Sequence, residues 1–438
     1  MKVLKFGGTS VGSAQRMKEV AQLINNGERK IVVLSAMSGT TNSLVEISQK
    51  LFSDQNGEAL ALINTLEKKY ENVVKELFNS EKTLNKGQEL IKAYFEYLKS
   101  FTKDLFTIHE ERAVLAQGEL ISTNLFQIYL EEIGVNSKLI SALDFMRIDE
   151  NEEPDLKYIT ENLNDIIDAN KNIDLFVTQG FICRNAFGEI DNLKRGGSDY
   201  SASLIGAGIL AEEIQIWTDI DGMHNNDPRI VDKTHPISEL SFEEAAELAY
   251  FGAKILHPAS VYPAQLKNIP VKLLNTMQPE AKGTLISKKS DGQGIKAIAA
   301  KDGIIAIKIK SARMLLAYGF LRSVFEVFER YKTPIDVITT SEVAVSVTID
   351  NPKYLEQITK ELSAFGNVEV DKDLSIICIV GNFIAEEKGG SVKIFESLSQ
   401  VPIRMISYGG SKNNITLLVP TSYKNDALKA LNSGVFGY

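Results

Sequence analysis

Met1-Lys-Val-Leu-Lys-Phe-Gly-Gly-Thr-Ser-Val-Gly12 is the stretch on which the fold turns. Its first half is a short apolar run of strand type, and its second half is glycine and hydroxyl. A buried strand ending in Gly7 and Gly8 lets backbone N–H groups approach an anion closely. Thr9 and Ser10 add donors, and Lys5 adds a point charge. An edge strand followed by a tight turn has the same local pattern, so this stretch leaves a phosphate cradle and a simple turn evenly matched. It lacks the basic flank, longer apolar run and small-residue cleavage site of a targeting signal.

Working outward, the same unit recurs. Apolar strands are expected at Val3–Phe6, Lys30–Ser35, Leu175–Thr178, Glu213–Thr218 and Val271–Leu274, with helical patterns such as Ala14–Asn25, Ser201–Leu210 and Phe242–Phe251 between them. This alternation predicts an α/β region, 1–287, with a mainly parallel sheet covered on both faces. Ligands of such sheets sit beyond the C-terminal strand ends, where the Gly/Ser/Thr/Asp loops of this chain fall. Residues 46–115 form a Leu/Lys/Glu-rich helical excursion, expected to shape or cap the site without supplying chemistry. Gln278–Gly294 reads as a boundary, with 288–298 as linker.

Beyond it the pattern runs strand Ile304–Ile309, turn at Gly319, helix Phe320–Tyr331, strands Pro334–Thr339 and Val343–Ile349, and helix Lys353–Ala364. It then repeats as strand Ser375–Val380, helix Val392–Leu398, strands Ile403–Ser407 and Ile415–Pro420, and a terminal helix from Ser422. Two small α+β units are expected, 299–370 and 371–438, with strands that can be exchanged between them. Neither carries a catalytic cluster, so regulation or assembly is their expected role.

Composition narrows the function classes. A chain of 438 residues exceeds one ordinary core. A net charge of -9 disfavours nucleic acid as a partner, and no apolar run is long enough to span a membrane. The two cysteines, Cys183 and Cys378, make neither a disulfide framework nor a zinc site and fit a cytoplasmic location. The four histidines lack ligand spacing, so no metal held by protein side chains alone is expected.

Four further clusters carry chemistry. Ser35-Ala-Met-Ser-Gly-Thr-Thr-Asn42 can hold a small polar ligand, though by itself it better suits a helix cap. Leu193-Lys-Arg-Gly-Gly-Ser-Asp-Tyr200 combines a guanidinium fork for a carboxylate (Arg195), two glycines for close approach, and Ser198 and Asp199 at a helix start. Trp217-Thr-Asp-Ile-Asp-Gly-Met-His-Asn-Asn-Asp-Pro-Arg229 leaves a strand into an Asp-rich loop suited to a nucleotide, without the spacing of a calcium loop. In Phe251-Gly-Ala-Lys-Ile-Leu-His-Pro258, Lys254 is either snorkelling or held against phosphate, and His257 reads as structural. There is no G-x-x-x-x-G-K loop and no H-R-D/D-F-G set. Gly206-Ala-Gly-Ile-Leu-Ala211 matches the dinucleotide fingerprint only nominally, because it follows a helical run and not a strand.

Taken in order, Lys5-Phe-Gly-Gly-Thr-Ser-Val11, Val33-Leu-Ser-Ala36, Arg195-Gly-Gly-Ser-Asp-Tyr200, Trp217-Thr-Asp219 and Phe251–Pro258 resemble the aspartate kinase family of the amino-acid kinase superfamily. Gly319-Phe-Leu321, Ile338-Thr-Thr-Ser-Glu342 and Met405-Ile-Ser407 followed by Gly409 resemble paired ACT domains. The resemblance implies an αβα sandwich followed by two ferredoxin-like ACT domains. It implies transfer of phosphoryl from ATP, bound with Mg²⁺, to the side-chain carboxylate of L-aspartate.

By the same resemblance Lys5, Asp199 and Lys254 are catalytic, and Gly7, Gly8, Thr9 and Ser10 hold the transferred phosphoryl group. Thr41, Glu119, Arg195 and Ser198 bind aspartate, with Glu119 facing its ammonium. Thr218, Asp219, Asp227 and Lys254 belong to the nucleotide site. Met314, Gly319, Phe320, Leu321, Asp336, Thr340 and Ser341 form a feedback site for lysine at a homodimer interface of the ACT domains, with a tetramer as the alternative. The chain ends at Tyr438 after the second small unit, which leaves no room for a fused homoserine dehydrogenase. One departure stands out: the family commonly has threonines and a glycine before Arg-Gly-Gly-Ser-Asp, whereas this chain has Ile190-Asp-Asn-Leu-Lys194. The rival expectations are a relative acting on another amino acid and an amino-acid-binding regulator that has lost catalysis. The presence of Lys5, Asp199 and Lys254 speaks against the second.

Overall fold

The computed structural model describes residues 1–193, 196–252, 256–289, 294–314, 318–382 and 389–437. They form two compact units: Met1–Met223 with Ser238–Phe242 and Leu256–Lys289, and His224–Ile237 with Glu243–Ile255 and Ser290–Tyr438.

The N-terminal region runs β1 (Lys2–Phe6), α1 (Ala14–Ile24), β2 (Lys30–Leu34), α2 (Thr40–Phe52), α3 (Asn56–Leu77), α4 (Glu81–Ser100), α5 (Ile108–Glu132), β3 (Ser137–Leu139), α6 (Ala142–Phe145) and α7 (Leu156–Asp168). It continues through β4 (Leu175–Gln179), β5 (Ile182–Arg184), β6 (Ile190–Asn192), α8 (Gly197–Ile209), β7 (Ile214–Thr218), β8 (Glu239–Ser241), α9 (Phe242–Tyr250), α10 (Pro258–Lys267), β9 (Val271–Asn275) and β10 (Thr284–Ser287). Eight of these strands form one sheet in the order β3-β4-β2-β1-β7-β9-β10-β8. All its pairings are parallel except β9 with β10. The five expected strands are all present, each within a residue of its expected ends.

Parallel strands buried on both faces read as continuous apolar runs, and β2 (Lys-Ile-Val-Val-Leu) and β4 (Leu-Phe-Val-Thr-Gln) are buried along their whole length. Lys30 in β2 is nevertheless structural: its ammonium donates to Ile24 O at the C-terminal end of α1. The face carrying α1 to α5 forms one core, from Phe6 and Met17 through Tyr70 and Phe95 to Phe126. The helical excursion is therefore part of the main core. Tyr70 of α3, fully buried, shares a hydrogen bond with the Thr40 hydroxyl at the first turn of α2 (2.9 Å). That bond ties the excursion to the loop after β2.

The second unit contains β11 (Gly294–Lys310), α11 (Phe320–Arg330), β12 (Ile338–Thr340), β13 (Ala344–Ile349), α12 (Leu355–Leu362), β14 (Asn367–Asn382), α13 (Gly390–Ser397), β15 (Met405–Tyr408), β16 (Asn414–Pro420) and α14 (Lys424–Phe436). Its six-stranded antiparallel sheet has the order β12-β13-β11-β14-β16-β15. Two strands are longer than expected. Residues 294–298, read above as linker, are the start of β11, and 367–373 begin β14. Both strands run through two cores. Ile305, Ile307 and Ile309 of β11 pack with α11 and α12, whereas Ile298 packs with Ile377 and Ile379 of β14 and with α13 and α14. The crossover coincides with a register break between Lys301 and Ile304, where Gly303 takes a positive φ of 76°.

The strand expected at Pro334–Thr339 is confined to Ile338–Thr340. Pro334 has no N–H to give a ladder, and the Val337 N–H is taken by the Thr348 hydroxyl (2.9 Å). Among the described residues no helix is long and apolar enough to cross a membrane.

Tyr70→Phe should lower unfolding free energy by about 1–2 kcal/mol, because it strips a buried hydroxyl of its partner without opening a cavity. Urea denaturation of both proteins measures it; equal midpoints would show that the Thr40–Tyr70 bond adds nothing net.

Candidate active site

Strands β1, β2, β4, β7 and β9 run parallel, so their C-terminal ends lie along one edge of the sheet. At that edge Lys5 Nζ stands 2.6 Å from Asp199 Oδ1, with side chains 11% and 16% exposed. The contact is an ion pair and not a directed hydrogen bond. Asp199 lies in the first turn of α8, where the helix dipole favours a carboxylate.

The loop after β1 folds back on itself. The Ser10 and Val11 N–H groups donate to Gly7 O, and the Gly7 N–H donates to Trp217 O (3.2 Å). Gly8 O accepts from the Ser38 N–H (3.1 Å), and a Cβ on Gly8 would lie 2.9 Å from Ala36 O. Only glycine lets the loops after β1 and β2 approach this closely. Among the described residues, nothing takes up the N–H groups of Gly8 and Thr9, which are those an anion needs. Ser10 differs from the expectation of a free donor. It is fully buried, and its hydroxyl is hydrogen-bonded to Thr276 at the end of β9 (2.7 Å).

A cavity of about 340 Å³ opens beside this loop. Its walls are Gly8, the segment Ser35–Gly39 with Thr41 and Asn42, Glu119 from α5, Phe181, Gly197 and Ser198. The structure thus brings together Gly8, Thr41, Glu119 and Ser198. The expectation that Ser35–Asn42 caps a helix is overturned. The N-cap of α2 is Gly39, in a left-handed conformation with no side-chain cap, and the segment lines the cavity instead. Ser35 Oγ donates to Ser198 Oγ (2.9 Å), and Ser122 Oγ donates to Ser35 O (2.8 Å).

Glu119 is the chemically unusual group. It is 4% exposed, its Oε1 accepts from the Ala36 N–H (3.1 Å), and its Oε2 is buried without a hydrogen-bond partner. Burial pushes its carboxyl up to about 8, against the opposing pull of the Ala36 N–H and the Lys5 charge. A carboxylate held this way favours a cationic ligand, which restores what dehydration takes away.

Sequence reasoning missed Gly180 and Phe181, which follow β4. A Cβ on Gly180 would lie 2.3 Å from Ser198 Cβ. Phe181 takes a positive φ of 67°, and its N–H donates to Ser201 Oγ (2.8 Å). The one signal for them is a glycine at the end of an apolar strand. Arg195 and Lys254 lie outside the described residues. Thr218 and Asp219 end β7 at the same sheet edge, with Thr218 Oγ1 donating to Asp219 Oδ1 (3.2 Å). Asp227 belongs to the second unit, where Arg229 engages both its oxygens and holds its carboxyl below the usual range. His257 caps α10 by accepting from the Ala259 N–H, in keeping with its structural reading.

In the second unit a cavity of about 430 Å³ is lined by Tyr318, Gly319, Phe320, Arg322, Ser323 and Glu326 at the start of α11. It includes Gly319 and Phe320 of the expected effector residues. Met314 lies in a short 3-10 turn before it, Leu321 is partly exposed on α11, and Thr340 and Ser341 end β12. Asp336 is held elsewhere in this unit: it accepts from Tyr250 Oη (2.9 Å) and pairs with Lys301 Nζ (3.1 Å), which also reaches Asp350 (2.8 Å).

Residues 1–275 match the amino acid kinase family, and residues 377–434 match an ACT domain. The N-terminal unit is thus an amino acid kinase, a class built to move phosphoryl groups. Lysine-sensitive aspartokinase 3 of Escherichia coli (strain K12) is 34% identical over 453 residues, covering 99% of each chain. Aspartokinase 1, chloroplastic, of Arabidopsis thaliana is 35% identical over 99% of this chain and 80% of its own. A crystal structure of E. coli aspartokinase III with aspartate and ADP in the R-state superposes with a TM-score of 0.86 at 32% identity, covering 100% of both chains. The T-state structure of that enzyme with lysine and aspartate gives 0.81, at 32% identity over 100% of this chain and 99% of the other. The chain belongs to the aspartokinase family.

Because Glu119 binds a proton in the folded protein up to about pH 8, but releases it near its ordinary value of 4.5 when unfolded, stability should fall as pH rises across that window. The loss amounts to a few kcal/mol over the whole window. Glu119→Gln should flatten this slope. Urea midpoints measured from pH 5.5 to 8 test it, and parallel slopes for the two proteins would refute the assignment.

Proposed function

We propose that this chain transfers the γ-phosphoryl group of ATP to the side-chain carboxylate of L-aspartate, giving 4-phospho-L-aspartate and ADP. The observation that carries the reading is the buried, proton-holding Glu119 in a cavity that also contains Gly8, Thr41 and Ser198. An α-amino acid entering there offers its ammonium to Glu119. Arg195, by its place in the family motif, takes a carboxylate. The aspartokinases at 34–35% identity, and the E. coli enzyme seen with aspartate and ADP, support the choice of substrate and nucleotide.

The chemistry asks little of a general base. A carboxylate nucleophile is already ionised at neutral pH, and no histidine lines the cavity. Rate then comes from alignment and from stabilising charge on the moving phosphoryl group. Lys5 supplies a fixed cation, aimed by Asp199, and the N–H groups of Gly8 and Thr9 supply dipoles. Gly7 and Ser10 act through the loop's shape. Thr218, Asp219, Asp227 and Lys254 are assigned to the nucleotide from the family motif. Mg²⁺ would come with the nucleotide. The phosphates would be its main ligands, and Asp219, just after β7, is a candidate carboxylate for it. Bound there, Mg²⁺ neutralises phosphate charge.

The second unit is read as regulatory. The domain reading assigns catalysis to 1–287, of which His224–Ile237 and Glu243–Ile255 group with the second unit, and ACT-like regions to 299–370 and 371–438, with β11 and β14 running through both of their cores. Lysine is the proposed inhibitor, supported by the lysine-sensitive E. coli relative and by its structure with lysine. The effector residues are Met314, Gly319, Phe320, Leu321, Asp336, Thr340 and Ser341. Asp336 is kept in this set from the family resemblance; it lies outside the cavity at α11, one of its oxygens pairs with Lys301, and its Oδ2 is buried without a hydrogen-bond partner. Its other oxygen is tied to Tyr250 at the end of α9, the helix that leads into Phe251–Pro258. We read the enzyme as a cytoplasmic homodimer through its ACT regions, acting at the first step toward lysine, threonine and methionine.

Lys5→Ala should lower turnover by about 10²–10³, the loss seen when one charge-stabilising donor is removed. ADP release is followed on protein shown to be folded by circular dichroism. Turnover at the parent rate would remove Lys5 from the reaction, and activity on glutamate but not aspartate would overturn the substrate.

Lysine, added alone, should inhibit aspartate phosphorylation, and Tyr250→Phe should weaken that inhibition. Inhibition by threonine without any lysine effect would overturn the effector assignment.

A further inference from the structure

The departure at Ile190–Lys194 has a partner elsewhere in the fold. Asp191 lies on β6, paired antiparallel with β5 so that Ile182 faces Asn192 and Cys183 faces Asp191. Its side chain is 3% exposed, and its Oδ2 stands 2.5 Å from Arg112 Nη1 on α5. Asp191 Oδ1 accepts from the Asn192 N–H (2.7 Å), so both carboxylate oxygens are engaged. Arg112 is 19% exposed, and its other carboxylate neighbour, Glu152, is 4.0 Å away. A second, exposed contact repeats the link, with His109 Nδ1 3.3 Å from Glu189 Oε2 in the turn of the hairpin.

Both ends of this ion pair lead into the cavity. Arg112 precedes Glu119 by seven residues, two turns of the same helix, so the two side chains share one face of α5. The base of the hairpin is Phe181 and Leu193, joined by Leu193 N–H donating to Phe181 O (2.7 Å). Phe181 is a cavity wall, and so are Gly197 and Ser198, a few residues beyond Leu193 in the sequence. A hairpin free to tilt against α5 would carry these groups away from Glu119. A buried carboxylate paired, among the described residues, with the Arg112 guanidinium fixes that angle, because losing either partner strands a charge.

We infer that Arg112 and Asp191 are positioning residues for the amino-acid substrate: their ion pair sets the hairpin whose base, Phe181, lines the cavity with Gly197, Ser198 and Glu119 of α5. The inference rests on the aspartate kinase reading. It touches the amino-acid side of the site and leaves the loop of Gly7 to Ser10 alone.

The test is steady-state kinetics on Arg112→Met, Arg112→Lys and Asp191→Asn in the full-length protein, with thermal unfolding alongside. Arg112→Met and Asp191→Asn should raise KM for aspartate on the order of ten- to a hundredfold, the penalty of small misplacement, while KM for ATP stays near that of the parent. Arg112→Lys keeps the charge and should restore most of the aspartate KM. An unchanged aspartate KM in a folded Asp191→Asn variant overturns the inference. So does a parallel change in both KM values, or failure of lysine to rescue better than methionine, since either marks a purely structural pair. If the parent protein itself fails to phosphorylate aspartate, the underlying function is wrong, and that outcome is read before any variant is made.

Discussion

The Lys5–Asp199 ion pair is the interaction around which the N-terminal unit is organised. Its lysine comes from the central strand of an eight-stranded sheet and its aspartate from the first turn of α8, 194 positions later (199 − 5). A pair of this kind stabilises little by its Coulomb attraction alone, since both groups give up most of their water. It persists because α8 offers its positive end to the carboxylate and because the surrounding loops hold the partners in place. The sheet's burial of Val3, Leu4 and Phe6 fixes the height of Lys5, and Phe6 stacked on Trp217 (5.7 Å between centroids) fixes β1 against β7.

The loops that meet there are interlocked at backbone distance. Gly8 lies against Ala36, Gly180 against Ser198, and Gly196, with a positive φ of 65°, against Ser260 and His257. Each contact joins a loop after one strand to the neighbouring loop or helix start. The glycines give the site precision through absence of side chains, and they also explain its small cavity. Any Cβ at Gly180 would push into Ser198, which lines the cavity. Strain at Phe181 follows from the same crowding, since a non-glycine residue at positive φ survives only when its neighbours hold it.

What was legible in the sequence divides along physical lines. The five buried strands and the glycine-rich ends were legible because continuous apolar runs and glycines are local signals. Lys5 and Asp199 both enter the site through the family resemblance, and their long-range contact is visible only in the structure. Ser35–Asn42 taken alone favours a cap over a ligand loop because hydroxyls and glycine serve both, and the left-handed Gly39 at the N-cap tells them apart. The first half of β14, Asn-Val-Glu-Val-Asp-Lys-Asp, was missed because its pairing with β11 leaves most of it exposed and therefore polar. Ser10 with Thr276 and Arg112 with Asp191 join residues whose partnership no local window can contain.

The raised Glu119 gives this arrangement a logic of selection. Burial favours the protonated form of that carboxyl, because ionising it takes a charge into a site that water does not reach. A ligand with an ammonium group reverses the balance, because it brings the counter-charge with it and allows the proton to leave. A dicarboxylate without an amine brings only a second negative charge, so Glu119 remains neutral and contributes no more than a hydrogen bond. On the proposed reading, the amino group of the substrate is thus recognised by the work needed to ionise Glu119, while the reacting carboxylate is left to Lys5 and the Gly8–Thr9 amides. Recognition and chemistry are assigned to different groups around one cavity, which Glu119 and Gly8 both line. The walls need only be held at a fixed separation, which rigid backbone contacts and buried ion pairs provide better than mobile side chains.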